Sequence, residues 1–321
     1  MLAVILLLQS LLVAVSGPPA SPEYLPLRVA QAEGHFRREG LEVTLRTTRA
    51  EPGAAEALAQ GQADLAATTL DAILRFGPRI PGQSSRLVFG LTAAPPVALL
   101  VPTSQQALVK SVQDLPGTRV GLASPGAPEH AWFGWLLARA GLSPAQVWIV
   151  SLGSRGLVSE VESGEVHAAL VHEPYASRLV AEGQAKVLAD LRSPDRVAQA
   201  LGVPTVNAAV FARSDRMPAG RDLAAFARAL DAAERRIAET GAGELATALP
   251  PPVVASEFEA RLEATRALYL KDGLVTANQV QETIALIRAH LPLPGTLRIP
   301  RPEEMLHVEP ARRAVTPPAR K

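Results

Sequence analysis

Apolar residues along this chain recur with two spacings, the helical one of about 3.6 residues and the strand one of about 2, and segments of the two kinds take turns. Leu25 to Phe36 carries its apolar residues on one helical face, after a turn-prone Ser21-Pro22-Glu23. Gly40 follows the charged Arg37-Arg38-Glu39, where a helix needs a residue tolerant of the left-handed conformation to stop. Leu41-Glu42-Val43-Thr44-Leu45 then alternates as a half-buried strand does. The same pattern predicts helices over Glu51–Gln60, Leu70–Phe76, Pro128–Ala140 with a Gly141 stop, and Gly156–Ser163 with a Gly164 stop. Further helices are predicted over Asp222–Thr240, Ser256–Leu270 and Thr276–His290, the last with Thr276 and Gln279 placed for a capping interaction. Strands are predicted at Leu87–Leu91, Val97–Val101, Arg119–Ala123, Val147–Leu152, Val166–Val171 and Thr205–Ala212. Such alternation makes βαβ units, hence an α/β fold with helices flanking mostly parallel sheets.

The first residues fit two readings. Leu2 to Val15 is apolar apart from Gln9 and Ser10, and its fourteen residues are short for a membrane span. The run has the make-up of the apolar core of a secretory signal, with Ser16-Gly17 as small residues near a cleavage site, yet no Lys or Arg precedes it. Alternatively Leu11–Val15 is the opening strand and Ser16–Glu23 the loop at its carboxyl end, with a true signal lying upstream of this start. The strand reading is preferred, which leaves residues 1–10 as a signal remnant or signal core. From Pro292 onward the chain is rich in proline and arginine and is expected to fray.

Composition narrows the function classes. A chain of 321 residues makes one large or two medium domains, and 48% hydrophobic with 20% charged residues is ordinary for a chain with a good core. Lys+Arg number 32 against 31 Asp+Glu, so no overall field attracts nucleic acid or an acidic membrane surface. Aromatics at 4% also argue against a stacking platform for bases. The absence of cysteine excludes disulfides, thiolate metal sites, iron–sulfur clusters, a cysteine nucleophile and a lipoprotein anchor. No two of the six histidines stand at i,i+4, so no zinc motif is present, and neither a metal nor a cofactor is expected.

The segment from Tyr24 to Val43 resembles the opening of the nitrate/sulfonate/taurine and thiamine-precursor group of ABC-transporter substrate-binding proteins. That group reads Y-x-P-x-x-x-A-x-x-x-G-x-F-x-x-x-G-L-x-V, and Tyr24, Pro26, Ala30, Gly34, Phe36, Gly40, Leu41 and Val43 fill those places. A short strand follows G-x-x-D in the group. Gly61 and Asp64 keep that motif, so Thr68 and Thr69 fall at the strand's carboxyl end, where an open α/β sheet places its ligands. Ser111 to Gly121 resembles the S-x-x-D-L-x-G-x-x-V-G that opens the group's second lobe. The resemblance covers roughly residues 11 to 290. It implies a two-lobed, periplasmic-binding-protein-like (type II) fold with a ligand cleft between the lobes. The expected division is 11–101 and 204–292 for the first lobe, 102–203 for the second, and 293–321 for the tail.

The helix opening at Gly126–His130 is the leading candidate for the site, because a helix N-terminus offers free N–H groups and a positive dipole end to an anion. Sulfonate binders of the group carry a glycine, hydroxyl residues and then a histidine there. This chain reads Ser124, Pro125, Gly126, Ala127, Pro128, Glu129, His130, without the hydroxyl donors and with a carboxylate added, which speaks against sulfonate, nitrate and phosphate. A plain Pro/Glu-capped structural helix remains the competing reading, and His130 then packs or is solvated. Arg155 follows a strand and could meet a carboxylate or stay a solvated loop residue. Glu173, at another strand end, could accept from an amine or ring N–H, with Tyr175 beside it to stack or pack. Thr68, Thr69, Asp71 and Thr92 are candidate polar groups of the first lobe, or turn and cap residues. Asn207 could contact ligand or only hydrogen-bond the hinge, and Tyr24 could wall the cleft or pack beneath the first loop. Trp132, Trp135 and Trp148 read as core and helix-packing residues.

The resemblance implies the extracytoplasmic, periplasmic solute-binding component of an ABC importer. Such a protein captures a small polar organic solute by cleft closure and passes it to an inner-membrane permease. A monomer is expected, with no catalytic residue and no nucleic-acid partner. The alternative is an enzyme on the same bilobal fold, of pyrimidine-precursor or menaquinone-pathway type, and the missing cysteines argue against the former. A third option is a receptor that presents its ligand to a signalling protein.

Overall fold

The computed structural model describes residues 9–48, 51–123, 128–255, 257–291, 293, 295 and 299–315. Its strands are β1 Gln9–Val15, β2 Leu41–Thr47, β3 Leu65–Thr69, β4 Ser85–Gly90, β5 Val97–Pro102, β6 Arg119–Leu122, β7 Trp148–Ser151, β8 Ala168–His172, β9 Ala185–Asp190 and β10 Ala208–Arg213. They form two five-stranded sheets of matching order, β2-β1-β3-β10-β4 and β7-β6-β8-β5-β9. In each sheet the first three strands are parallel, and one strand runs antiparallel to both of its neighbours, β10 in the first sheet and β5 in the second. These two are the strands on which the chain arrives from the other lobe.

β1 explains why the opening of the chain reads so apolar. It pairs with β2 from Gln9↔Leu41 to Val15↔Thr47 and with β3 at Val13↔Leu65 to Val15↔Ala67. Leu11, Val13 and Val15 enter one apolar cluster and Ala14 the other, so the strand is covered on both faces. A parallel strand buried on both faces has no polar alternation, the same signature as a signal core. Residues 1–8 lie outside the described residues. Asp64 fastens β1 from the side, its carboxylate accepting from Leu12 N at 2.8 Å while its own N–H donates to Leu12 O at 2.9 Å.

Several expectations are corrected. Val97–Val101, assigned to the first lobe, lies in β5, which is hydrogen-bonded between β8 and β9 in the second sheet. The crossing therefore lies over residues 91–96, where Pro95-Pro96 interrupts the ladder, rather than at Pro102. An apolar run such as Val-Ala-Leu-Leu-Val looks alike in any buried strand, so its sheet is not readable locally. The first helix is divided at Gly34, which has φ 74°, into Leu25–Ala32 and His35–Arg38. Of the helix expected over Ser256–Leu270, the described residues are helical over Phe258–Thr265 and a following turn, with Ala255 and Glu257 at φ 42° and 62°. β9 and the helices Tyr175–Ala181, Pro194–Leu201 and Ala242–Ala248 were not anticipated. Trp132 is core and Trp135 half-buried, but Trp148 is 70% exposed on the edge strand β7.

The tail, expected to fray, docks over Ile299–Val315. His307 N donates to Leu87 O at 2.8 Å, Leu306 bridges Leu87 in parallel, and Met305 and Ala311 are buried. Helix Glu309–Val315 lies on helix Gly220–Glu239, because apolar residues at 305, 308 and 311 find cover there and along β4. No helix among the described residues is long and apolar enough to cross a membrane.

Helix Gly220–Glu239 carries a carboxyl that the fold pays for. Glu234 is 8% exposed, and its Oε1 has no hydrogen-bond partner among the described residues. Burial, with the nearby Asp231 and Asp272 charges, pushes its pKa well above the ordinary 4.5. A raised carboxyl pKa means the folded state holds the proton more tightly. Its contribution is intact below the unfolded value and is lost as pH rises through the folded one. Glu234→Gln is therefore expected to be more stable than the parent at pH 8 and to lose less stability between pH 5 and pH 8. Urea unfolding at the two pH values measures both, and equal slopes would refute the assignment.

Candidate functional site

Polar groups at the carboxyl ends of β1, β3 and β8 are close enough to feel one another's charge, Glu129 and His172 acting on Glu23 and Glu129 on Asp71. On the first-lobe side β1 runs into Ser16, fully buried, whose N–H donates to Ala67 O and whose hydroxyl donates to Thr68 Oγ1 at 2.9 Å. Thr69 ends β3 and donates to Asp71 Oδ1 at 2.6 Å, and Asp71 also meets Arg75 at 3.6 Å. A short helical turn, Pro22–Tyr24, brings up Glu23, and Tyr269 holds that turn by donating to Pro22 O at 2.8 Å. Burial raises the pKa of Glu23, opposed by its own backbone N–H and by His172, and assisted by Glu129. Asp71 is likewise raised by burial, against the Thr69 hydrogen bond and Arg75.

The second-lobe wall is made by helix Pro128–Arg139 and the end of β8. His172 Nε2 donates to Glu129 Oε1 at 2.5 Å, with side chains 30% and 12% exposed. Burial works against both charges, but the mutual hydrogen bond and attraction prevail, so Glu129 titrates below its ordinary value. His172 titrates above its own for the same reason, helped by Glu23 and Glu173. The other Glu129 oxygen, Oε2, is out of contact with solvent and has no partner among the described residues. Glu173 is spoken for. Its carboxylate accepts from Ser177 N and Oγ at 3.2 and 2.9 Å and from Arg192 Nη1 at 2.5 Å, and Arg192 in turn grips Asp190.

The two crossings are sewn together behind this cluster. Asn207 N donates to Thr92 O at 2.8 Å, Thr92 Oγ1 accepts from Ala208 N and Asn207 Nδ2, and Thr205 Oγ1 donates to Ala93 O at 2.8 Å. Helix Ala277–His290 braces the junction. Its N-cap Thr276 forms the expected capping box with Gln279, and Thr283 Oγ1 accepts from Val206 N at 2.9 Å. The helix also packs on helix Pro128–Arg139, where His290 meets Trp135 edge-on at 6.1 Å.

Among the anticipated site residues, Thr68, Thr69, Glu129 and His130 stand at these element ends, with Thr68 and Thr69 buried and His130 half-buried. Thr92 and Asn207 belong to the hinge stitching, and Tyr24 is buried in the first lobe's apolar cluster. Glu173 is saturated by Arg192 and Ser177, and Arg155 is exposed in the first turn of helix Gly153–Ser163. Ser124, Gly126 and Ala127 lie outside the described residues. Glu23 and His172 were not singled out. The available signal was their position, one in the loop after β1 and one ending β8. Among the described residues no group of His, Asp and Glu could hold a metal ion.

Comparisons with known proteins bear on the fold and the family. No curated protein sequence matches. The chain superposes on the alkanesulfonate-binding protein SsuA from Xanthomonas axonopodis pv. citri with TM-score 0.63 and 19% identity, over 93% of this chain and 98% of that one. For the periplasmic aliphatic sulphonate binding protein SsuA of Escherichia coli the TM-score is 0.65 at 21% identity, over 88% and 92%. The periplasmic nitrate-binding protein NrtA of Synechocystis PCC 6803 gives 0.62 at 12% identity, over 96% and 88%. At these identities the likeness establishes the fold, that of the periplasmic binding proteins. The sequence itself matches the family described as NMT1/THI5 like over residues 21–239, more than half of its length, so the chain belongs to the NMT1/THI5-like family.

Proposed function

We propose that this protein is the extracytoplasmic solute-binding component of an ABC importer, capturing a small polar organic solute between its lobes and handing it to an inner-membrane permease. The observation that carries the reading is the placement of polar groups at element ends of both lobes, Ser16, Thr68 and Asp71 in one and Glu129 and His172 in the other, beside a stitched double crossing. Hydrogen-bonding groups on separate lobes can hold a solute fully only when the lobes close, so the solute favours the closed state by its differential contacts. The proposed protein acts as a monomer and breaks no bond in its solute. The missing hydroxyl donors before Glu129 favour an organic or heterocyclic solute over a simple oxyanion.

The test is the melting temperature and native mass of the purified protein against taurine, alkanesulfonates, nitrate, aminopyrimidines, riboflavin, carboxylates and aromatic acids. A solute at about a hundred times its Kd stabilises the folded state by about 2.7 kcal/mol, a readily measured shift. A bound solute of unchanged mass supports the receptor. A converted solute would replace it with an enzyme on the same fold.

A further inference from the structure

We propose that the first lobe carries a second binding site, for a small organic carboxylate, in the cavity where Arg28 of helix Leu25–Ala32 meets the turn Pro250–Val254. The site goes beyond the receptor reading and does not rest on it.

Two arginines are buried among the described residues, and they are served differently. Arg213, 5% exposed, gives Nε and Nη2 to Asp215 at 2.8 and 2.7 Å and Nη1 to Ala59 O at 3.0 Å. Arg28 is 7% exposed, and its Nη2 donates to a neutral hydroxyl, Thr47 Oγ1, at 2.7 Å. Its Nε is out of contact with solvent and has no acceptor among the described residues. No carboxylate pairs with Arg28 there, and burial lowers its pKa with no charge acting against it. Buried charges are normally paired, because losing water without gaining a partner is costly. A guanidinium only donates, so the missing partner must be an acceptor, and an anionic one answers the charge as well.

Arg28 also has somewhere to hold such a partner. With Gln31, Ala32, Pro250, Pro252 and Val253 it lines a cavity of about 280 Å³. The groups placed at the lobe junction, Ser16, Thr68, Asp71, Glu129 and His172, do not line this space. The turn beside it has its acceptors in use. Val253 O and Val254 O accept from Arg261 Nη2, both at 3.1 Å, and Pro250 O and Pro251 O accept from Val253 N and Ala255 N, both at 2.9 Å. The acceptor for Arg28 must therefore come from solution.

The walls select among anions. The planar guanidinium fork matches the two oxygens of a carboxylate. Pro250 and Pro252 have no N–H to offer, and Gln31 Nε2 already donates to Val43 O at 3.3 Å, so a strongly hydrated phosphate would give up water with few donors to replace it. A water occupies about 30 Å³ of liquid, and an inorganic ion of that order would leave most of the space unfilled. A short aliphatic or aromatic acid meets both demands, its carboxylate on Arg28 and its hydrocarbon against Pro250, Pro252 and Val253.

The experiment uses the full chain and three variants, Arg28→Met, Ala32→Glu and Ala32→Lys. Ala32 is exposed and stands one turn after Arg28 on the same helix face, so a glutamate there brings Arg28 a counter-ion of its own, and a lysine of similar length does not. Butyrate, isovalerate and benzoate are one probe set, and chloride, nitrate and phosphate the other. Calorimetry measures affinity and the melting temperature measures stabilisation. At least one of the three acids is expected to bind the parent chain and raise its melting temperature, more tightly than any inorganic ion. Arg28→Met and Ala32→Glu are each expected to weaken that acid about tenfold or more, the loss of a charged hydrogen bond, while Ala32→Lys retains it. Should Arg28→Met fold poorly, the pair at Ala32 decides. The site is overturned if no acid binds, if an inorganic ion binds as tightly as the best acid, if binding survives Arg28→Met, or if glutamate and lysine at position 32 reduce it equally. Each of those results leaves the receptor reading where it stands, since its groups lie elsewhere in the fold.

Discussion

Trp132→Ala is expected to lower the free energy of unfolding by about 3–5 kcal/mol, the range for removing a large aromatic from a packed interior. Trp132 is 3% exposed and lies on helix Pro128–Arg139 of the second lobe. It lines one internal seam together with Leu70 of the first lobe, Val206 of the returning crossing, and Thr283 and Ile287 of helix Ala277–His290. Three parts of the chain meet on one indole, so no single element can collapse into the space left by truncation. Trp132 also stands one turn after Glu129, and the variant is expected to bind solute more weakly because that turn loses its backing. Urea unfolding followed by circular dichroism measures the first effect. A loss below about 1 kcal/mol would mean that the lobes are not packed through this residue. Trp148→Ala is the comparison, an equal change in volume at a 70% exposed site, where little change is expected.

Gly273→Ala is expected to destabilise by about 2–5 kcal/mol, from two separate causes. Gly273 has φ 65°, where an L-residue with a Cβ is disfavoured by about 1–2 kcal/mol. A Cβ there would also stand 2.2–2.4 Å from ring carbons of Phe89, itself 1% exposed in β4, and overpacking of this kind costs about 1–3 kcal/mol. The ring has no free direction, because the chain lies flat on β4 at this point. Leu270 N donates to Leu91 O at 2.9 Å, and a Cβ on Gly90 would strike Val275 and Leu270. Gly117→Ala separates the causes. Gly117 has φ 74° and open space around the added carbon, so it should show the backbone part alone. Equal losses in the two variants would show that Phe89 yields.

Much of the architecture was legible because local chemistry enforces it. Thr276 and Gln279 announced a helix start that the capping box confirms. Gly40, Gly141 and Gly164 marked chain reversals, and each has a positive φ. β1 was readable as a strand from an apolar run only because Val13, Val15 and Ala14 are covered from opposite sides. Trp148 and the tail show the limit of such reading. An apolar side chain in a strand pattern looks the same whether its sheet continues or stops there. Likewise Met305, Val308 and Ala311 recur every third residue, but over too short a run, broken by prolines and charges, to betray their docking.

The candidate site divides along the same line. Strand-end positions for Thr68 and Thr69, and the helix-start position of Glu129, followed from the sequence, because the βαβ alternation puts functional groups at carboxyl ends of strands and the helix starts that follow them, whatever the sheet later packs against. The partners did not follow. Glu23 and Glu129 are 106 residues apart, and His172 is 43 residues from the carboxylate it binds. Whether Glu173 faces a solute or Arg192, and whether Asn207 serves the cleft or the hinge, depends on side chains contributed by other elements. By itself the sequence determined where the strongly patterned strands and helices lie, and that they alternate, since those preferences are written in neighbouring residues. Only the tertiary structure decided which sheet β5 joins, which carboxylates are satisfied, and which oxygen is left without a donor. Those are outcomes of contacts between segments far apart in the chain, where burial strengthens every pairing and penalises every polar atom left alone.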